Sequence, residues 1–156
     1  MAINLLKSIL HNIGVVIVSL GLAYLGTIVD SWLAIPGFSS PLATVFGTLL
    51  ISIGFLLRVW AVAHFYSHQM RVISLEPQGS FVTAGPYRYS RNPLYLGANV
   101  FCFFGAALLF GSPAALILTI LHLPFVNLMI RREERQLEQK FGDQFRTYKT
   151  RVRRWL

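Results

Sequence analysis

At 156 residues the chain has the length of one domain, yet 54% apolar and only 13% charged residues exclude an ordinary soluble composition, in which about a quarter of residues are charged. The mean hydropathy of +0.57 says the same: this is an integral membrane composition. The net charge of +8 is accounted for by membrane topology and attraction to anionic headgroups, so it calls for no nucleic-acid partner, and a single cysteine, Cys102, excludes an intrachain disulfide framework or a multi-cysteine metal site.

In chain order, Lys7 is the sole early cation, and the long apolar run after it lacks a small-residue cleavage site, so it reads as a first span and not a cleaved leader. The 22 uncharged residues between Lys7 and Asp30 suffice to cross a hydrocarbon core of about 30 Å. Trp32, Pro36, Gly37 and Pro41 mark a non-helical connection, after which a second span runs to about Val62. Residues 92–130 are 39 uncharged positions, too many for one span, and Gly111-Ser112-Pro113 supplies the turn that divides them into a hairpin. The expected architecture is a single all-helical membrane domain over 1–156, with spans at about 8–29, 42–62, 94–110 and 113–130. None of the fourteen Lys and Arg residues falls in the 30–41 or 111–113 connections. The positive-inside rule therefore puts both termini, the loop 63–93 and the tail 131–156 in the cytoplasm.

Small residues in the first two spans, among them Gly14, Ser19, Gly26, Gly47 and Gly54, suit close helix packing and carry no evident chemistry. Arg58 and Trp60 end span two as snorkelling, interfacial residues or pocket candidates. His64 and His68 follow at helical i, i+4 spacing, but no third ligand stands near them, so an interfacial pair is expected in preference to a metal site. In span four, His122, Pro124 and Asn127 place a titratable group, a kink and an amide at depth, as a hydrogen-bonded kink or a pocket wall. The tail after span four opens with Glu133 and Glu134 amid arginines, continues as an amphipathic pair of short helices through Leu137, Phe141, Phe145, Tyr148 and Val152, and ends in Arg151, Arg153, Arg154 and Trp155, an interfacial anchor.

Two polar clusters, Tyr87 to Tyr95 and Asn127 to Glu134, flank one helical hairpin at the same membrane edge and must lie close in space. Cations, carboxylates, an amide and aromatic faces together match a ligand with a positive centre, a carboxylate and a flat base. S-adenosylmethionine is such a ligand.

The motif Gly85-Pro-Tyr-Arg-Tyr-x-Arg-Asn-Pro-x-Tyr-x-Gly97, followed by Glu133-Glu134-x-x-Leu137 and Phe141-Gly142-x-x-Phe145-x-x-Tyr148, resembles the isoprenylcysteine carboxyl methyltransferase and phospholipid methyltransferase superfamily. The resemblance spans about residues 57–156 and implies an all-helical membrane enzyme that uses S-adenosylmethionine at the cytoplasmic edge on a lipophilic or lipid substrate. It implies catalytic roles for Arg91 and Glu134. It further implies that Glu133 and Glu134 hold the cofactor's amino group or ribose, with Tyr87 and Tyr95 beside its base or sulfonium and Arg91 on a carboxylate. Asn92, Pro93 and Gly97 would shape the loop for backbone approach. The family commonly has His where Asn92 stands, so a role needing imidazole does not carry over. No metal is required for methyl transfer. A carboxylate acceptor needs no general base, whereas an amine or thiol would need one such as His64 or His122. The alternatives are phospholipid N-methylation, thiol S-methylation, or a non-catalytic, transporter-like membrane protein.

Overall fold

The computed structural model describes residues 2–67 and 81–156. Among them there is no strand. Helix α1 runs Ala2–Trp32 and α2 Pro41–Ser67; a 3-10 turn at Gly85–Arg88 precedes a composite helix made of α3 (Pro93–Tyr95), a π-helical stretch (Leu96–Cys102) and α4 (Phe103–Phe110). Then come α5 (Pro113–Phe141) and α6 (Asp143–Arg151). Among the described residues four segments are long and apolar enough to cross a membrane, namely Ile9–Trp32, Pro41–Phe65, Pro93–Phe110 and Pro113–Phe141. The third is 50% buried against 22% to 28% for the others, so it is the centre of the bundle and the rest present their apolar faces outward, as lipid requires.

Local chemistry sets the helix ends. Proline opens α2, α3 and α5, where its missing N–H goes unmissed and its fixed φ suits the first turn. Gly111 stops α4 at φ 59°, and a Cβ there would run into the Phe38 carbonyl. Ser112 then caps α5 by accepting from the Ala115 N–H at 3.1 Å.

Packing between the spans is close because the facing residues are small. Gly47 of α2 meets Gly105 of α4, and Gly54 meets Gly97, so closely that a Cβ on any of the four would approach a backbone oxygen to within 2.6–2.9 Å. Ala23, Ala106, Ala107 and Ala115 form a further buried cluster between α1, α4 and α5. At one end of the bundle Asp30 is buried, accepting from the Ser112 hydroxyl at 2.5 Å and the Ala114 N–H at 2.9 Å. That end is locked by polar contacts; the other carries the charged motifs.

Several features differ from the sequence expectation. Helix α1 continues past Asp30 to Trp32, and α2 runs to Ser67, past its expected end near Val62, so that His64 lies on the helix and not in the loop expected over 63–93. The segment from Leu137 to Phe141, expected as the first of two short amphipathic helices, instead prolongs α5 without a break, so α5 at 29 residues is about 43 Å long and outreaches an apolar core of about 30 Å. Pro124 lies inside it without ending it. The composite third span is not a plain α-helix: the Phe103 N–H bonds five residues back to the Ala98 carbonyl. Such π turns free side chains and carbonyls for local use. Asn99, in this stretch, donates to the Tyr95 carbonyl at 3.1 Å and turns its Oδ1 to His122 Nε2 at 3.0 Å, which satisfies that histidine at depth. His68 and the loop 68–80 lie outside the described residues.

Candidate active site

The motif end of the bundle is assembled from both clusters. Gly85 adopts φ 60°, with the His64 ring packed where a Cβ would stand, and this turns the chain into the short helix that buries Pro86 and Tyr87. Pro86 and Pro93 each restrict their own φ and the residue before them, so the bend at Arg91 and Asn92, the latter at φ −133° and ψ 52°, lies between two fixed points. The stretch is then sewn to residues 149–154. The Arg91 N–H donates to the Arg153 carbonyl at 2.9 Å, while Ser90 Oγ and Asn92 Nδ2 both donate to the Arg154 carbonyl at 3.3 and 3.2 Å. Tyr148 Oη donates to the Tyr87 carbonyl at 2.7 Å.

A cleft opens between this stretch, α5 and α6. Its described lining has Arg91, Asn92, Tyr95, Glu133 and Glu134 as charged and polar members and Phe65, Phe81, Val82, Tyr87, Pro93, Leu94, Leu137, Phe145 and Tyr148 as apolar and aromatic walls. Enclosed by the described residues are about 140 Å³, against roughly 300–1,000 Å³ for sites that take a drug-sized ligand whole. The enclosed part therefore fits one end of such a ligand.

The two glutamates are not equivalent. Glu134 is buried, with Oε1 3.0 Å from an Arg91 terminal nitrogen and Oε2 2.7 Å from one of Arg154, whose Nε also reaches both oxygens at 3.2 Å. Its charge is spoken for. Glu133 stands at the rim and accepts from Tyr95 Oη at 2.6 Å, its one recorded partner among the described residues. The arginine–glutamate–arginine cluster carries one net positive charge, and Glu133 beside it a negative one.

Two buried polar atoms in the lining have no partner among the described residues, Arg91 Nε and Tyr87 Oη. The other two nitrogens of the Arg91 guanidinium are taken by Glu134 and the Lys149 carbonyl. Burial, reinforced by neighbouring Tyr148, pushes the Tyr87 phenol well above its usual range, so it keeps its proton and offers a donor. An unpaired buried hydroxyl costs about 1–3 kcal/mol. Tyr87→Phe is therefore expected to leave the thermal midpoint of the purified protein unchanged or raise it, while weakening ligand binding severalfold. A marked fall in the midpoint would mean that the hydroxyl already has a partner.

Of the residues singled out in the sequence, Tyr87, Arg91, Asn92, Pro93, Tyr95, Glu133 and Glu134 converge on this cleft. Five others do not line it. Gly97 faces away, toward Gly54 and the Arg58 stem. Arg58 is buried behind the motif, where its Nε donates to Asn12 Oδ1 at 2.8 Å and a terminal nitrogen donates to the Leu94 carbonyl at 2.6 Å. His64 sets its Nδ1 2.9 Å from the Trp60 carbonyl, His122 is paired with Asn99, and Asn127 accepts from Arg154 at 3.3 Å. Sequence reasoning missed Arg154 as a member of the cluster and Phe65, Phe81, Phe145 and Tyr148 as walls. The spacing of Phe141, Phe145 and Tyr148 was the available signal for the walls.

Four helices long and apolar enough to cross a membrane, with a charged, aromatic-walled cleft at one end, define a multi-span membrane protein. The chain belongs to the phospholipid methyltransferase family, whose family model matches residues 42–144. It is 33% identical to the protein-S-isoprenylcysteine O-methyltransferase of Saccharomyces cerevisiae over 118 residues, covering 73% of this chain and 48% of the yeast protein. The chain thus spans about half the length of that relative. An uncharacterized protein of Haemophilus influenzae is 47% identical over 47 residues, 30% of this chain and 75% of that protein. No solved structure matches. The superfamily resemblance read from the motifs is therefore borne out.

Proposed function

We propose that the protein is an S-adenosylmethionine-dependent methyltransferase acting on a lipophilic substrate at the cytoplasmic face of the membrane, with the cleft as its cofactor site. The observation that carries this reading is the pairing, in one cleft, of an unsatisfied Arg91 Nε–H with the lightly partnered carboxylate of Glu133. A zwitterionic amino-acid group needs that pair of partners, and the enclosed volume suits that end of the cofactor. Arg91 would take the carboxylate, which a guanidinium fixed by Glu134 meets without reorganising. Glu133 would take the ammonium, and Tyr87 Oη would donate to the polar part of the ligand. Phe65, Phe81, Phe145 and Tyr148 would exclude water and face the base or the sulfonium. Bound there, the cofactor supplies an electrophilic methyl group; the chain's contribution is to hold it and align the acceptor, which is worth up to about 7–11 kcal/mol of barrier.

Glu134, engaged on both oxygens, acts by holding the two arginines. An acceptor that is already anionic, as in carboxyl O-methylation, would need no base from the chain. The family match favours a second reading, N-methylation of a phospholipid amine. The clustering of Lys and Arg at the motif end supports the cytoplasmic orientation.

Calorimetry of S-adenosylmethionine and S-adenosylhomocysteine on detergent-purified protein tests the site. Saturable binding by the wild type, reduced at least tenfold in Glu133→Gln, is the expected result. A folded wild type that binds neither ligand in detergent or in nanodiscs would sink the reading; where it does bind, lipid product analysis separates the two acceptor classes.

A further inference from the structure

We infer that Arg154 is a positioning residue of the cleft, acting on the ligand's carboxylate through Glu134 and Arg91. The inference rests on the cofactor reading above. Arg154 grips Glu134 on both oxygens, at 2.7 Å from one terminal nitrogen and 3.2 Å from Nε, and with its other terminal nitrogen reaches Asn127 Oδ1 at 3.3 Å. Arg154 is thereby tied to α5 at two points, and both Glu134 oxygens lie within its reach. Glu134 meets Arg91 with one oxygen, Oε1.

That geometry decides what Arg91 has left to offer. One terminal nitrogen is held by Glu134 and the other by the Lys149 carbonyl, which leaves Nε–H as the buried donor without a protein acceptor. Were Arg154 absent, Glu134 would be free to turn both oxygens on Arg91. A carboxylate prefers the paired donors of a guanidinium edge to a single one, so the freed glutamate would compete for the donor that the ligand needs. The backbone of the same segment reinforces the arrangement, because Arg153 and Arg154 carbonyls receive the Arg91 N–H and the Ser90 and Asn92 side chains. Arg154 thus has two tasks: its carbonyl orients the loop and its guanidinium sets the hand of Glu134.

The discriminating experiment measures calorimetric affinities of wild type, Arg154→Gln and Arg154→Lys for S-adenosylmethionine and for its decarboxylated analogue, which retains the ammonium and sulfonium. Arg154→Gln is expected to weaken S-adenosylmethionine roughly tenfold to a hundredfold, the span of one charge-assisted hydrogen bond, and the decarboxylated analogue by less than about twofold. Arg154→Lys, which keeps the charge but not the fork, should fall between wild type and Gln for S-adenosylmethionine alone. If Arg154→Gln does not yield folded protein, the Lys variant carries the same comparison. Equal weakening of both ligands would overturn the inference, since it would mark a general structural role. Unchanged affinity for both would overturn it too. A folded wild type that binds neither ligand would defeat the cofactor reading and this inference together, whereas wild-type binding with either of the preceding results defeats this inference alone.

Discussion

Arg91→Ala is expected to abolish measurable binding of S-adenosylmethionine, a loss of at least a hundredfold, while the protein still folds. The two effects separate because the residue has two kinds of partner. Arg91 lines the cleft and carries a buried guanidinium N–H with no acceptor among the described residues; on the proposed cofactor reading, removing it would leave the ligand's carboxylate to be desolvated unpaired. Toward the fold it is one of two cations on Glu134, and Arg154 retains its grip on both oxygens when Arg91 is gone. Stripping a buried pair of one partner costs about 3–5 kcal/mol when the other is left alone. Here the second arginine limits the loss of stability to about 1–3 kcal/mol. Calorimetry and a thermal melt on the same preparation read both numbers. Wild-type affinity in the alanine variant would remove Arg91 from the site.

A second large effect is expected at Gly97, where the added atom of Gly97→Ala would stand 2.6 Å from Arg58 Cγ and 2.9 Å from the Gly54 carbonyl oxygen. Neither neighbour can yield cheaply. The carbonyl belongs to the α2 backbone, and Arg58 is buried and tied to Asn12 and to the Leu94 carbonyl. Forcing the helices apart would also shift Leu94 and Tyr95, which line the cleft. Overpacking of this kind costs about 1–3 kcal/mol, and two rigid neighbours put Gly97→Ala at the upper end. The same substitution at Gly21 meets nothing within 4 Å and should be neutral or stabilising by up to about 1 kcal/mol. Thermal midpoints of the two variants side by side test the pair. Equal midpoints would show that the crossing is not as tight as drawn.

How far the sequence anticipated this molecule depends on how local each signal is. The spans were legible because lipid imposes long apolar runs, and the hairpin turn because Gly111, Ser112 and Pro113 are each matched to a backbone position. The convergence of residues 87–95 with 133–134 followed from hairpin geometry alone. What escaped was polar pairing across long chain separations. Arg154 read as an interfacial anchor because nothing in the composition of a basic tail distinguishes the arginine that turns inward to Glu134 from those that stay outside. Gly97 was expected to admit a ligand to the backbone; a glycine advertises close approach but not from which side, and here the approaching group is α2. The π-helical stretch left no mark in an apolar run, and nothing in that run marked Asn99 as the partner of His122. Glu133 and Glu134 were equivalent as letters and became distinct only when one met two arginines and the other a tyrosine.

Asp30 bears on the order in which the chain assembles. Its carboxylate is satisfied by Ser112 and the Ala114 N–H, partners that are synthesised 82 and 84 residues later. Until the α4–α5 turn exists, the end of α1 carries an anion with no home inside the bundle, and water or headgroups must solvate it. The first helix to be made thus finishes its docking among the last, and its depth and rotation are fixed by residues from the far half of the chain. The bond from Arg58 to Asn12 already joins α1 to α2, and the arrival of the turn closes the opposite end of the bundle like a latch.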